Sequence, residues 1–156
     1  MHDPLDVARL LRSAGRMPQH TLSIATQGSG LYDVTDAARA FVSDHFPGEA
    51  LLTVFVRHTS CSLTIQENAD PDVQRDLEQF FRRLVPDGHD PSMAWLNHTA
   101  EGPDDMPAHI KSALTQTSLG IPVRDGALML GTWQGLYLFE HRTRPHQREL
   151  ILHLSS

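Results

Sequence analysis

Between His20 and Gln27, Leu22 and Ile24 alternate with Thr21, Ser23 and Ala25, the period-two pattern of a strand with one face toward a core. Gly28-Ser29-Gly30 turns this strand into Leu31-Tyr32-Asp33-Val34. Thr35 or Asp36 is then placed to cap a helix whose apolar pairs are Ala37 with Phe41 and Ala38 with Val42, and Pro47-Gly48 closes the unit. Leu51-Leu52-Thr53-Val54-Phe55-Val56 is apolar on both faces, which predicts a central strand covered on both sides. A second strand is expected from Cys61 to Gln66, with Cys61, Leu63 and Ile65 inward.

The pattern then changes to helical spacing. Asp70-Pro71 supplies a capping carboxylate and a proline suited to the first helical position, and Val73, Leu77, Phe80, Phe81 and Leu84 form one stripe ending before Pro86-Asp87-Gly88. Residues 87 to 103 make a long connection, a length that in compact domains is more often functional than idle. After it, Asp104 can cap a helix in which Pro107 falls within the first turn, and Met106, Ile110, Ala113, Leu114 and Thr117 read as the core stripe. Asp105 and His109 are four apart and share a face, whereas Lys111 lies about 200° around the axis from His109. Asp125-Gly126 between two apolar runs signals a two-residue hairpin. Gly131-Thr132-Trp133-Gln134-Gly135 leads into Leu136-Tyr137-Leu138-Phe139-Glu140, with Glu140 on the face of Leu136 and Leu138, and 147 to 154 is the last strand. Residues 1 to 16 carry Leu5, Ala8 and Leu11 at helical spacing before Gly15 and read as an appendage to a single domain over 17 to 156.

Composition narrows the function classes. A chain of 156 residues with 40% apolar content suits one domain with a real core. A net charge of −6 argues against a sequence-independent nucleic-acid surface or an anionic membrane surface. Cys61 is the sole cysteine, so no internal disulfide can form, and there is neither a secretory signal pattern nor an apolar run of about 20 residues. A cytoplasmic protein is the expectation.

Three imidazoles stand at element ends: His58 after the buried strand, His98 in the long connection and His109 on the helix. Three neutral imidazoles suit zinc or a similar divalent ion with one position open, with Glu101, Asp105 or Glu140 able to orient a ligand nitrogen. The alternative is a set of scattered structural histidines, because there is no H-E-x-x-H, paired C-x-x-C, G-x-S-x-G or P-loop. Glu140, a carboxylate at the end of an apolar face, is either paired with Arg142 or Arg144 or part of a site. If the site is catalytic, Glu140 and Asp105 are the candidates for acid, base or substrate clamp.

Several ordered motifs carry a resemblance over residues 18 to 154. They are His58-Thr59-Ser60-Cys61-Ser62-Leu63-Thr64, Glu67-Asn68-Ala69-Asp70-Pro71, His98 with Glu101-Gly102, His109-Ile110-Lys111, and Gly131-Thr132-Trp133-Gln134-Gly135 with Glu140. Together they resemble the YjbQ-type family, often labelled secondary thiamine-phosphate synthase. Cys61 stands where many relatives carry alanine, and Asp104-Asp105-Met106-Pro107 replaces a common Asn- and Ala-containing version. The resemblance implies a compact α+β domain with a mixed or antiparallel sheet and three main helices, assembled as a homotrimer. It also implies a divalent metal, zinc or magnesium, on His58, His98 and His109, and a small phosphorylated molecule held by Ser60, Glu101, Trp133, Gln134, Arg142 and Arg144. The implied reaction joins thiazole phosphate to an aminopyrimidine diphosphate with release of pyrophosphate. The rival is a non-catalytic metal- or small-anion-binding protein, or a metal-dependent hydrolase.

Overall fold

A computed structural model describes residues 17–45 and 48–156. The reading of residues 1 to 16 as an appendage lies outside the described residues. The strands are β1 (Gln19–Thr26), β2 (Gly30–Asp33), β3 (Ala50–Val56), β4 (Cys61–Glu67), β5 (Ser118–Arg124), β6 (Ala127–Leu128), β7 (Gln134–Glu140) and β8 (His146–Ser155). The helices are α1 (Thr35–His45), α2 (Pro71–Leu84) and α3 (Asp105–Leu114), with a 3-10 turn at Pro91–Met93. The fold is α+β, as the resemblance implies.

Two antiparallel sheets face each other, one ordered β1-β8-β3-β5-β6 and the other β2-β7-β4. Their facing side chains and α1 share one core: Leu52, Val54 and Val56 of β3 and Leu150, Leu152 and Leu154 of β8 meet Leu136 and Leu138 of β7, with Ala38, Phe41 and Val42 closing one end. The Asp125-Gly126 turn forms as its sequence predicts, with φ of 49° and 72°, the paired positive values of a type I′ hairpin.

The strand covered on both sides is β7, not β3. From Gly135 onward every β7 residue is buried, because α2 lies on the face opposite the core, with Phe81 packed edge-on to Phe139 at 5.3 Å. The second face of β3 is open: Leu51 and Phe55 are 43% and 44% exposed. The α2 stripe is accordingly shallow. Val73, Leu77 and Phe81 are half-buried while Phe80 and Leu84 are exposed, since the helix covers a sheet only three strands wide.

Two caps differ from expectation. Asp33, not Thr35 or Asp36, accepts from the Thr35 N–H at 2.8 Å to start α1. Asp104 precedes α3 without capping it through its side chain, which is engaged by Arg142 and Thr143 instead. The buried face of α3 is Asp105, Ala108 and Ser112, whereas Ala113 and Leu114 are exposed. The small Ala108 and Ser112 let the helix approach β4, and Ser112 Oγ donates to the Cys61 carbonyl at 3.0 Å. By contrast, the Asp70 cap on α2 is as expected, accepting from the Asp72 N–H at 2.9 Å.

Candidate metal centre

The long connection is tied off at its base by the Gly88 N–H donating to the Pro103 carbonyl at 2.7 Å. Within it, Asp90 caps the 3-10 turn by accepting from the Ser92 N–H at 2.9 Å. Held in this way, the segment delivers His98 to the first turn of α3, where Nε2 lies 2.7 Å from Asp105 Oδ2. One helical turn on, His109 Nε2 lies 3.5 Å from the same oxygen, and the two rings are 5.8 Å apart. His98, Asp105 and His109 each offer a ligand atom within 4.8 Å of the others.

The neighbours fix how these side chains present themselves. His109 Nδ1 is 2.9 Å from the Thr59 carbonyl. A carbonyl only accepts, so the proton sits on Nδ1 and the Nε2 lone pair of the neutral ring is aimed at the cluster. Asp105 is buried, and its other oxygen accepts from the Arg142 guanidinium. That guanidinium also donates through Nε to Asp104 Oδ2 at 3.1 Å and through Nη2 to the Glu101 carbonyl at 3.0 Å. Asp104 accepts further from the N–H and hydroxyl of Thr143 at 2.8 and 3.0 Å. Burial alone would raise its pKa, but these donors and the Arg142 charge outweigh it and hold the carboxyl below its ordinary range.

The sequence-derived triad is thus only partly brought together. His58 is not in the ligand group; its Nε2 accepts the Glu149 backbone N–H at 2.9 Å, which engages the lone pair a metal would need. Burial, followed by the Arg148 charge, lowers its pKa. His58 and His109 nevertheless border one open cleft of about 740 Å³, together with Phe55, Arg57, Thr59 and Thr117.

Glu140 is fully buried and has a partner, but neither Arg142 nor Arg144 supplies its ion pair. Arg148 grips it through two bonds of 2.6 Å, while Thr26 Oγ1 and the Arg142 backbone N–H donate at 2.9 and 3.0 Å. Burial works to raise the Glu140 pKa, yet these donors leave it lowered. Ser60 is drawn into the same knot, its Oγ accepting from Arg148 Nη2 at 3.0 Å. The Glu101 side chain and Arg144 are exposed. Trp133 is 64% exposed in the turn before β7, and the Gln134 side chain closes that turn by accepting from the Gly131 N–H at 2.8 Å.

The sequence does not single out Arg148, Thr26 or His141, and it offers Asp104 only as a helix cap. For Arg148 a signal existed: it shares a face with Leu150, Leu152 and Leu154, as Glu140 does with Leu136 and Leu138, and two opposite charges ending two apolar faces point to each other.

The YjbQ-like UPF0047 family model matches residues 20–156. The chain belongs to this family. A UPF0047 protein of Synechocystis sp. is 54% identical over 149 residues, spanning 94% of this chain and 98% of the relative. The UPF0047 protein YjbQ of Escherichia coli O157:H7 is 43% identical, spanning 85% and 94%. Among solved structures, a conserved hypothetical protein from Thermus thermophilus superimposes with a TM-score of 0.75 at 34% identity, covering 87% of this chain and 99% of that one. Among the described residues no helix of this YjbQ-like chain is long and apolar enough to cross a membrane.

Proposed function

We propose that His98, Asp105 and His109 hold a divalent metal ion at a site acting on a small phosphorylated molecule in the cytoplasm. The observation that carries this reading is the His109 tautomer: the Thr59 carbonyl holds Nδ1–H at 2.9 Å and so aims the Nε2 lone pair at Asp105. Two imidazoles and one carboxylate form a donor set that suits zinc better than magnesium, which prefers oxygen ligands and water. Bound there, the ion would stabilise charge on a phosphoryl oxygen or a departing diphosphate. Arg142 holds Asp105 in place, Thr59 sets the His109 ring, and the cleft beside His109 admits the ligand.

The reaction drawn from the resemblance is thiamine-phosphate synthesis, in which a thiazole nitrogen bonds to the aminopyrimidine methylene as the carbon–oxygen bond to diphosphate breaks. Full-length protein stripped by chelator should take up stoichiometric zinc, and His109→Ala and Asp105→Asn should not. Supplied with thiazole phosphate and aminopyrimidine diphosphate, the loaded protein should yield thiamine phosphate and pyrophosphate in step with its metal content. Metal uptake without turnover would favour a metal- or anion-binding protein, and phosphate release from the diphosphate alone would favour a hydrolase.

The same reading includes assembly as a homotrimer, supported by the uncovered Leu51 and Phe55 on the outer face of β3. Light scattering that shows a monomer at micromolar concentration would reject it.

A further inference from the structure

On the far side of α3 from the histidine cluster, Lys111 meets Arg82 near the C-terminal end of α2. With Ser29, Glu78 and His141 they line a small hollow at the end of β7. Neither cation forms an ion pair among the described residues. Arg82 and Lys111 repel each other, while Asp104 and Asp87 attract Lys111 and Glu78 attracts Arg82, so the hollow gathers charges of both signs.

His141 adds a directed donor. Its ring is 3% exposed, and Nε2 lies 2.9 Å from the buried Ser62 Oγ. That hydroxyl has no other acceptor among the described residues, so the arrangement that satisfies it has Ser62 O–H donating to Nε2. The ring proton then sits on Nδ1. Nδ1 has no hydrogen-bond partner and is not among the enclosed unsatisfied atoms, so it opens on the hollow that His141 lines. An imidazole N–H, an ammonium and a guanidinium thus belong to residues that line one hollow, together with Ser29.

Glu78 decides which oxyanion fits. A carboxylate beside three donors repels a fully deprotonated anion but accepts a hydrogen bond from one that still carries a proton. Hydrogen phosphate has that proton at neutral pH, whereas sulfate and most of a phosphate monoester do not. We infer that the hollow between Lys111, Arg82, Glu78 and His141 is a hydrogen-phosphate site, separate from the histidine cluster and independent of whether that cluster binds metal.

Isothermal titration of the full chain at pH 7 with inorganic phosphate, sulfate and glycerol phosphate at matched ionic strength tests this. Saturable binding of phosphate, with sulfate and the monoester weaker, is expected. Lys111→Gln should weaken phosphate binding by roughly tenfold or more, as for loss of a charge-assisted hydrogen bond. Arg82→Gln, at an exposed position, gives the same test without disturbing packing. Glu78→Gln should narrow the preference over sulfate. Equal binding of sulfate, no saturable binding, or unchanged affinity in both Lys111→Gln and Arg82→Gln would each overturn the assignment.

Discussion

Arg142 grips Asp105 with its guanidinium while its backbone N–H donates to Glu140 Oε1 at 3.0 Å. The buried Glu140–Arg148 pair and the histidine cluster are therefore joined through one residue, and the position of Asp105 depends on a carboxylate buried between the sheets. Replacing Arg142 by Met keeps the backbone bond and removes the charge, leaving Asp105 and Asp104 without their cation. The expected outcome is a loss of about 3–5 kcal/mol in urea unfolding, the usual consequence of stranding buried charge, together with weaker zinc uptake. Arg142→Lys should recover part of the stability but not the three-way contact with Asp104, Asp105 and the Glu101 carbonyl. Full stability and full zinc affinity in Arg142→Met would show that the guanidinium holds nothing in place.

The Glu140–Arg148 pair makes a second test. With Arg148 replaced by Met, a fully buried carboxylate keeps only Thr26 and one backbone N–H as donors, so unfolding free energy should fall by about 3–5 kcal/mol. Adding Glu140→Gln should return a substantial share of that loss, because the charge itself is gone. A double variant no more stable than Arg148→Met would mean that shape, not charge, sets the cost.

Much of this architecture was legible in periodicity, and the failures have physical causes. The Asp125-Gly126 hairpin, the Asp70 cap and the Asp105–His109 face are local, so chain-neighbour rules suffice for them. Coverage of β3 and β7 is not local: both runs are apolar, and which one receives a helix on its second face depends on where α2 docks. On α3 the apolar stripe misled because close approach to β4 selects the small Ala108 and Ser112 over Ile110 and Leu114. His58 resembled a ligand by standing at a strand end, and the Glu149 N–H that occupies its Nε2 comes from β8, at a separation of 91 residues. The structure brings His98 and His109 together with Asp105, which the sequence offers as an orienting or catalytic carboxylate, and it sets Arg142, offered with Arg144 as a partner for Glu140, against Asp105 instead.

Gly28 supports the loop that carries Arg142. Its φ is +140°, and a Cβ there would stand 2.9 Å from the Thr143 carbonyl oxygen. Gly28→Ala combines a disfavoured backbone angle with a clash against main chain, so a loss on the order of 1–3 kcal/mol is expected. Because Thr143 also binds Asp104, the same variant should reduce zinc uptake. A melting temperature equal to wild type would mean that the turn relaxes freely around the methyl group.

The pH dependence of stability should carry the mark of His141. Burial first, and the nearby Lys111 charge second, push its pKa from 6.5 down to about 3. In the unfolded chain the imidazole takes a proton as pH falls through its ordinary value, whereas in the folded protein it stays neutral until near 3. Between those limits the unfolded state binds more protons, so stability rises with pH and is lost on acidification. From pH 6.5 to pH 5 this one group should cost about 1.5–2 kcal/mol of unfolding free energy. Glu140, whose folded pKa is lowered, acts in the same direction but only below the ordinary carboxylate range, and so leaves that window to the histidines. His58, also lowered, contributes there too. The comparison therefore pairs wild type with His141→Gln, which can still accept from Ser62 but does not titrate. Urea unfolding at pH 6.5 and pH 5 should show the variant less stable at the higher pH and clearly less sensitive to the change. An identical pH slope in both proteins would mean that His141 takes up its proton in the folded state, contrary to its burial.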